Sequence, residues 1–475
     1  MMTNIVHGFM WFFGGIIFFY LIVVMAIYGS MLVFALLKIR KEYTLDKALL
    51  DEAHIDAFYS KPVSIIVPAY NEEVGVIDSV RSLLSLRYPE FEIIIVNDGS
   101  TDGTKQIVID QFKMKPVDRF TSDEIKTKKV LQVYQSKIHP QCILIDKENG
   151  GKADALNVGI NHSKYPYFCS IDGDSILEET SLLRVMKPII LSDGEVIAVG
   201  GNVRIANGIQ MQLGSVLGMN LSKNYLVLMQ VIEYLRAFLM GRIALSKFNL
   251  VLIISGAFSV FSKKWVIDAG GYAIGTIGED MELIVKLHRL IYDRKAKKRI
   301  EFVPDPVCWT EAPQTMSILR KQRRRWHQGL LESLWKHKKM TLNPRYGGIG
   351  FISFPYFWFV ECLGPLIELT GYVYIIAAYF MGSVYYEIAL LLLLMFVIYG
   401  GIFSIFAVLF EAWSMNRYPK ISDIFRMVLL SFTEMFWYRP ITLFWRCEGI
   451  FNFLRKKSEW GKMERVGLAS KEQQK

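Results

Sequence analysis

Tyr167-Phe168-Cys169-Ser170-Ile171-Asp172-Gly173-Asp174-Ser175 is an apolar run that stops abruptly at two carboxylates separated by one glycine. Aromatic and β-branched residues ending in such a pair read as a buried strand that delivers Asp172 and Asp174 to its carboxyl end, where α/β sheets place ligands. With the permissive Gly173 between them, their hard oxygens suit Mg2+ or Mn2+ held against a diphosphate. The plain alternative is a turn with two solvated aspartates, since Asp-Gly is also a common turn signal. The residues on either side decide between the two.

Around this run, from Pro62 onward, short apolar stretches alternate with amphipathic ones. Val63–Val67, Ile93–Val96, Ile143–Ile145, Tyr167–Ile171, Val196–Val203 and Val251–Phe261 read as strands. Val74–Leu86, Asp102–Gln111, Lys152–Asn161 and Leu182–Leu191 read as the helices between them. The alternation predicts an α/β domain of βαβ units around a mostly parallel sheet, over residues 62–312. Lys113–Gln141 is polar and basic and reads as a surface insertion.

Outside that domain the composition changes. The chain is 52% hydrophobic and 13% aromatic, which joins membrane segments to a water-soluble domain. Gly8–Leu37 is uncharged and longer than the roughly 20 residues a bilayer core requires. Residues 1–41 therefore read as a transmembrane helix. Met1–His7 carries no Lys or Arg, against a cleaved signal, whereas Lys38, Arg40 and Lys41 follow the span. The N-terminus is thus expected outside and the α/β domain in the cytoplasm. Val216–Ile254 is apolar but interrupted by Lys223, Glu233, Arg236, Arg242 and Lys247, and reads as helices under the membrane or packed on the sheet.

Residues 313–345 are strongly basic and carry Trp326 and Trp335, the pattern of an interfacial helix on anionic lipid. This segment accounts for much of the formal net charge of +10, so nucleic acid is not needed to explain it. Residues 347–411 read as a transmembrane hairpin whose first arm contains Glu361 and Glu368, placed either along a sugar path or in pairs with a buried Arg. Residues 421–456 are aromatic but carry Arg426, Glu434, Arg439, Arg446 and Glu448, and read as interfacial or re-entrant helices. Residues 457–475 form a polar cytosolic tail. The five cysteines show no metal-binding or disulfide spacing, consistent with a reducing compartment.

Four loops fall at strand ends on one edge of the predicted sheet: Pro68–Glu73, Asn97–Gly103, Asn149–Asn157 and Asp172–Asp174. Asp98 stands where a carboxylate can accept from a nucleobase N–H or a ribose hydroxyl. Asn71, Ser100 and Thr101 are also good helix caps. Gly150-Gly151-Lys152 lacks the spacing of a P-loop, yet two glycines and a lysine at a helix start suit a diphosphate. Gly278-Glu279-Asp280 opens an amphipathic helix, where acids are favourable with the dipole in any case.

Taken in order, Val63-Ser64-Ile65-Ile66-Val67-Pro68-Ala69-Tyr70-Asn71-Glu72, Asn97-Asp98-Gly99-Ser100, Gly150-Gly151-Lys152-Ala153-Asp154-Ala155-Leu156-Asn157, Asp172-Gly173-Asp174-Ser175, Gly278-Glu279-Asp280 and Gln322-Arg323-Arg324-Arg325-Trp326 resemble the membrane-integrated family-2 glycosyltransferases. That group includes cellulose, hyaluronan, chitin and poly-N-acetylglucosamine synthases. The resemblance implies an A-type glycosyltransferase nucleotide-sugar domain between transmembrane and interfacial helices. It also implies inverting transfer of a hexose or N-acetylhexosamine from a UDP-sugar to a growing polysaccharide at the cytoplasmic membrane, coupled to export. By that resemblance Asp98, with Ala69, Tyr70 and Glu72 nearby, holds the nucleoside, and Lys152 contacts the donor near its phosphates. Asp172 and Asp174 hold the nucleotide and its Mg2+ or Mn2+, Asp174 being the more direct ligand. Asp280 is the general base, Gln322 and Arg325 stabilise the leaving diphosphate, and Glu279 and Trp326 meet the acceptor.

Two departures bear on these roles. Many relatives have Thr where this chain has Gly278, and chitin-type members have Arg where it has Met281, so the sugar is not fixed by the motif. Transfer of one sugar to a lipid carrier is the alternative reading. The third is an inactive scaffold or export subunit, which gives no physical reason for so many intact polar motifs. A glycan or lipid-linked acceptor, the lipid bilayer and an accessory membrane subunit or a second copy of the chain are the expected partners.

Overall fold

Strand β1 (Val63–Ala69) is buried along its length apart from Pro68, as a strand covered on both faces must be. It pairs in parallel with β2 (Phe91–Asp98) on one side and with the Tyr167–Ile171 strand on the other, so the predicted parallel core is present. The computed structural model describes residues 2–49, 61–119, 121–212, 215–381, 386–414 and 420–455. They fall into two compact units. One comprises Ile39–Ser222 and Leu245–Ala312, the other Met1–Lys38, Lys223–Ala244 and Pro313–Gly461. Lys223–Ala244 therefore groups with the helices and not with the rest of residues 62–312.

In the α/β unit the remaining strands are β3 (Met114–Pro116), β4 (Val130–Ser136), β5 (Cys142–Lys147), β6 (Tyr167–Ile171), β7 (Ile176–Leu177), β8 (Val196–Ile205), β9 (Ile209–Gln212), β10 (Ser215–Met219), β11 (Phe258–Ser262) and β12 (Arg299–Thr310). Ten of the twelve described strands, β1 and β2 included, form one sheet in the order β3-β4-β5-β2-β1-β6-β11-β8-β12-β7, and β9 pairs with β10 separately. β5-β2-β1-β6 run parallel. β11 is antiparallel to both β6 and β8, and β12 is parallel to β8. The helix Lys152–His162 is buried on almost every face. Its small residues allow this: a Cβ on Gly159 would run into Ile66 of β1.

Three expectations about elements are corrected. Lys113–Gln141 contributes β3 and β4 to the sheet edge and is not merely an insertion. The strand expected over Val251–Phe261 occupies only Phe258–Ser262. Before it the chain turns at Ser255-Gly256, where the Ala257 N–H donates to Ser255 Oγ at 3.2 Å. β12 was absent from the expected strands because Pro304 and Pro306 interrupt it, and its register to β8 shifts between Val303 and Val307.

Among the described residues three helices are long and apolar enough to cross a membrane, Met10–Arg40, Ile349–Phe380 and Ala389–Trp413, and they lie almost wholly in the helical unit. The charges of the apolar segments have partners there. Arg439 Nε and Nη2 donate to Glu368 at 2.7 and 2.9 Å, and Arg236 makes a similar fork to Glu434, whose Oε2 also accepts from Ser404. Glu361 accepts from the Tyr356 hydroxyl at 2.6 Å and lies 3.5 Å from Arg446. Glu361 and Glu368 thus follow the paired-with-Arg alternative. The tail 457–475 lies outside the described residues.

Candidate active site

Two loops at the carboxyl ends of β1 and β2 are laced together by the polar residues that also read as caps. The Asn71 N–H donates to Ser100 Oγ at 3.1 Å and the Thr101 N–H returns to Asn71 Oδ1 at 2.8 Å. Glu72 N–H donates to Thr104 Oγ1 at 2.9 Å. Asn71 holds this position with φ +56°, a conformation Asn tolerates. The turn after β6 lies against the first of these loops: a Cβ on Gly173 would stand 3.1 Å from the Pro68 carbonyl and 3.5 Å from Glu72 Cγ. Glycine eases the close passage of the Asp172–Asp174 turn along Pro68 and Glu72.

Lys152, at the start of its helix, links three of the predicted residues. Its Nζ lies 2.5 Å from Asp172 Oδ1, 3.7 Å from Glu279 Oε1 and 3.5 Å from the Gly256 carbonyl. Burial disfavours its charge, but Asp172 and Glu279 outweigh that and hold the ammonium above its ordinary range. Glu279 is pushed up to about 7, by burial first and then by Asp280, with Lys152 pulling the other way. A small cleft is lined by Lys152, Ser170, Gly256, Tyr272, Glu279 and Asp280. Asp280 packs on Gly256, whose added Cβ would come within 2.9 Å of Asp280 Oδ2. The cleft therefore sets two carboxylates side by side, the buried Glu279, pushed up toward neutrality, and the half-buried Asp280.

Asp98 is deeper than the motif implied. It is 3% exposed. Its Oδ1 accepts from Lys147 Nζ and from the Gly150 N–H at 2.9 Å, and its Oδ2 accepts from the Gly151 N–H at 2.7 Å. Its first effect is to fix the Gly150-Gly151 turn ahead of Lys152, where Gly151 has φ +86°. Burial raises the Asp98 carboxyl and Lys147 offsets part of the rise. Lys147 is fully buried and also pairs with Asp154 at 2.7 Å. No motif includes Lys147, yet a lysine inside a buried strand needs a carboxylate and so carries its own signal. Asn157 closes the Gly150–Asn157 motif, which by itself gives it no role. It exchanges two hydrogen bonds with the Tyr272 backbone, at 3.0 and 2.8 Å, and so fixes the loop that precedes Glu279.

For a divalent cation the donor set is two hard carboxylates, Asp172 and Asp174, and no group of three or more His, Cys, Asp or Glu suited to a metal occurs among the described residues. Two carboxylates with open positions fit Mg2+ or Mn2+ completed by phosphate and water, not a closed structural site. Gln322, Arg325 and Trp326 lie on the helix Met316–Lys336 of the other unit. There Gln322 Oε1 is buried without a hydrogen bond among the described residues.

A mixed sheet carrying an Asp-Gly-Asp turn, a lysine at a helix start and an acid pair at another defines a nucleotide-sugar-dependent glycosyltransferase domain. The family model described as Glycosyl transferase family 2 matches residues 64–269, and that described as Glycosyl transferase family group 2 matches residues 168–410, just over half of the chain. The chain belongs to the family group 2 glycosyl transferases, and with its three apolar helices it is a membrane protein. It is 33% identical over 289 residues to a poly-beta-1,6-N-acetyl-D-glucosamine synthase of Staphylococcus epidermidis. It is 32% identical over 291 residues to the enzyme of that name from Staphylococcus aureus. The matches cover 59–60% of this chain and 59% of each relative. In fold it is similar to a mannosyltransferase of Pyrobaculum calidifontis in complex with GDP-Man and Mn2+, with a TM-score of 0.55 and 19% identity over 92% of this chain and 99% of that one.

Proposed function

We propose that this chain is an inverting polysaccharide synthase that transfers N-acetylglucosamine from its UDP conjugate to a growing glycan at the cytoplasmic face of the membrane. The observation that carries the reading is the cluster in which Lys152 joins Asp172 to Glu279 beside Asp280. The sugar follows from the relatives, which are named as poly-N-acetylglucosamine synthases.

In this account the acceptor hydroxyl attacks the anomeric carbon, the bond from that carbon to the diphosphate oxygen breaks, and UDP leaves on the opposite face. Asp280 takes the hydroxyl proton. Glu279, neutral below about pH 7, donates a hydrogen bond to the acceptor sugar. Lys152 exchanges its contact with Asp172 for the donor phosphates. Asp98 supports the nucleoside chiefly by fixing the Gly150-Gly151 turn, with Ala69, Tyr70 and Glu72 alongside. Asp174 and Asp172 would hold Mg2+ or Mn2+, which when bound neutralises charge on the departing diphosphate. Gln322 and Arg325 bind that diphosphate, and Trp326 stacks on the acceptor.

The N-terminal helix and the hairpin 347–411 span the bilayer, with residues 313–345 and 421–456 at its cytoplasmic surface and the product passing outward between the spans. Consumption of UDP-N-acetylglucosamine against UDP-glucose by the purified chain, with Mg2+ or Mn2+, tests the donor. Equal or preferred use of UDP-glucose would remove the sugar assignment.

A further inference from the structure

Glu233 and Tyr234 close the helix Tyr225–Leu235, a segment to which the transfer chemistry gives no part. Arg323 Nη2 donates to Glu233 Oε2 at 2.8 Å, and the Tyr438 hydroxyl donates to the same oxygen at 2.6 Å. Both bonds fall on one oxygen. The other, Oε1, accepts none among the described residues, and the side chain is 28% exposed. Arg323 in turn stacks over the Trp326 indole, its guanidinium carbon 4.7 Å from the ring centroid. The Tyr234 ring lies 6.4 Å from that of Trp326, tilted by 37°, and Trp326 is 43% exposed.

Arg323 thus brings the Glu233 carboxylate, fixed through one oxygen, to the Trp326 indole, with the Tyr234 ring beside that indole. A pyranose has the matching chemistry: an apolar C–H face for the rings and hydroxyl or amide donors at its edge for the carboxylate. A lipid chain would satisfy the rings but strip water from Glu233 Oε1. A phosphate would be repelled by it. We propose that Glu233, Tyr234 and Trp326 form a pyranose subsite for the acceptor glycan, in which Glu233 Oε1 accepts from a hydroxyl or amide N–H of the sugar stacked beside it. This rests on the acceptor role given to Trp326 above. Arg323 is the positioning residue, since it holds both the Glu233 carboxylate and the indole, and the Tyr438 hydroxyl only adds a second bond to the oxygen Arg323 already holds.

The competing account is that Glu233 is no more than the counter-ion of Arg323. Transfer from UDP-N-acetylglucosamine to a β-1,6-linked N-acetylglucosamine tetrasaccharide by the purified full chain separates the two. Glu233→Gln keeps an amide oxygen for Arg323 but turns an N–H2 group toward the sugar. Acceptor KM should rise about tenfold, the scale of a lost charge-assisted hydrogen bond, with donor KM and kcat at saturating acceptor unchanged. Tyr438→Phe loosens the occupied oxygen alone and should leave acceptor KM unchanged. Tyr234→Leu, which alters no charge, should raise it and serves if Glu233→Gln fails to accumulate. Unchanged acceptor KM in Glu233→Gln or in Tyr234→Leu, or matching rises in Glu233→Gln and Tyr438→Phe, overturns the subsite. If the wild-type chain releases no UDP from the donor, the proposed function fails first and the subsite with it. If it transfers normally and only these shifts are missing, the subsite alone fails.

Discussion

Lys152 Nζ stands 2.5 Å from Asp172 Oδ1, so the helix that begins after the Gly150-Gly151 turn is tied to the turn that ends β6. Without that contact the donor side and the acid pair at Glu279-Asp280 would have no charged group in common. Lys152 also screens carboxylates that would otherwise repel one another across the cleft.

Replacing Lys152 should therefore act on the donor before it acts on chemistry. Lys152→Met is expected to raise donor KM by roughly tenfold, because a charged hydrogen-bond donor to phosphate is lost. Steady-state kinetics at saturating acceptor checks this; a fall in kcat at unchanged donor KM would place Lys152 with the base instead.

Lys147 should show the same direction by a different route. It touches Asp98 and Asp154 and is fully buried, so Lys147→Met releases the Gly150-Gly151 turn and leaves two buried carboxylates without their cation. Isothermal titration with UDP should show weakened binding, together with a lowered Tm. Unaltered UDP affinity would mean that the turn keeps its shape without the lysine.

Glu279 makes the stability of the α/β unit depend on pH. Its folded-state value of about 7 lies above the ordinary 4.5, so the folded chain holds this proton more tightly than the unfolded chain. The stabilisation it contributes is complete below 4.5 and is lost as pH rises toward 7. Lys152, Asp280 and Asp172 are the charged groups around it. Relative to Glu279→Gln, the wild-type Tm should therefore decline across that window and then level off. Parallel pH profiles for the two proteins would show that Glu279 titrates normally.

In the helical unit, Glu368 and Arg439 form a nearly buried fork. Glu368→Ala leaves a buried guanidinium uncompensated, and a loss of about 3–5 kcal/mol is expected. Thermal unfolding in detergent measures it; the double replacement Glu368→Gln with Arg439→Gln should recover most of the loss.

Much of this was legible in the sequence, and the reasons are local. β6 could be read because an apolar run ended in Asp172-Gly173-Asp174, and a mostly parallel sheet followed from the alternation around it. The acid pair could be placed because Gly278 precedes an amphipathic helix. Lys147 signals that some carboxylate must meet it, but that Asp98 is the partner, and that Asn157 meets the Tyr272 backbone, depends on residues distant in sequence. β12 was hidden by its prolines and the Val251 segment by its apolar content, which serves a buried loop as well as a strand. The charges in Val216–Ile254 and 421–456 looked costly one by one. Their cancellation, as in Arg236 with Glu434 and Arg323 with Glu233, exists only between helices.

Asp280 is proposed here as the base of a polymerising transfer, and the products of the reaction test it. Radiolabelled UDP-N-acetylglucosamine supplied to the purified chain with Mg2+ or Mn2+ should yield a ladder of long products, while Asp280→Asn binds UDP normally and loses transfer by about 10²–10⁴-fold. Full turnover by Asp280→Asn, or one organic-extractable product in place of the ladder, would contradict it.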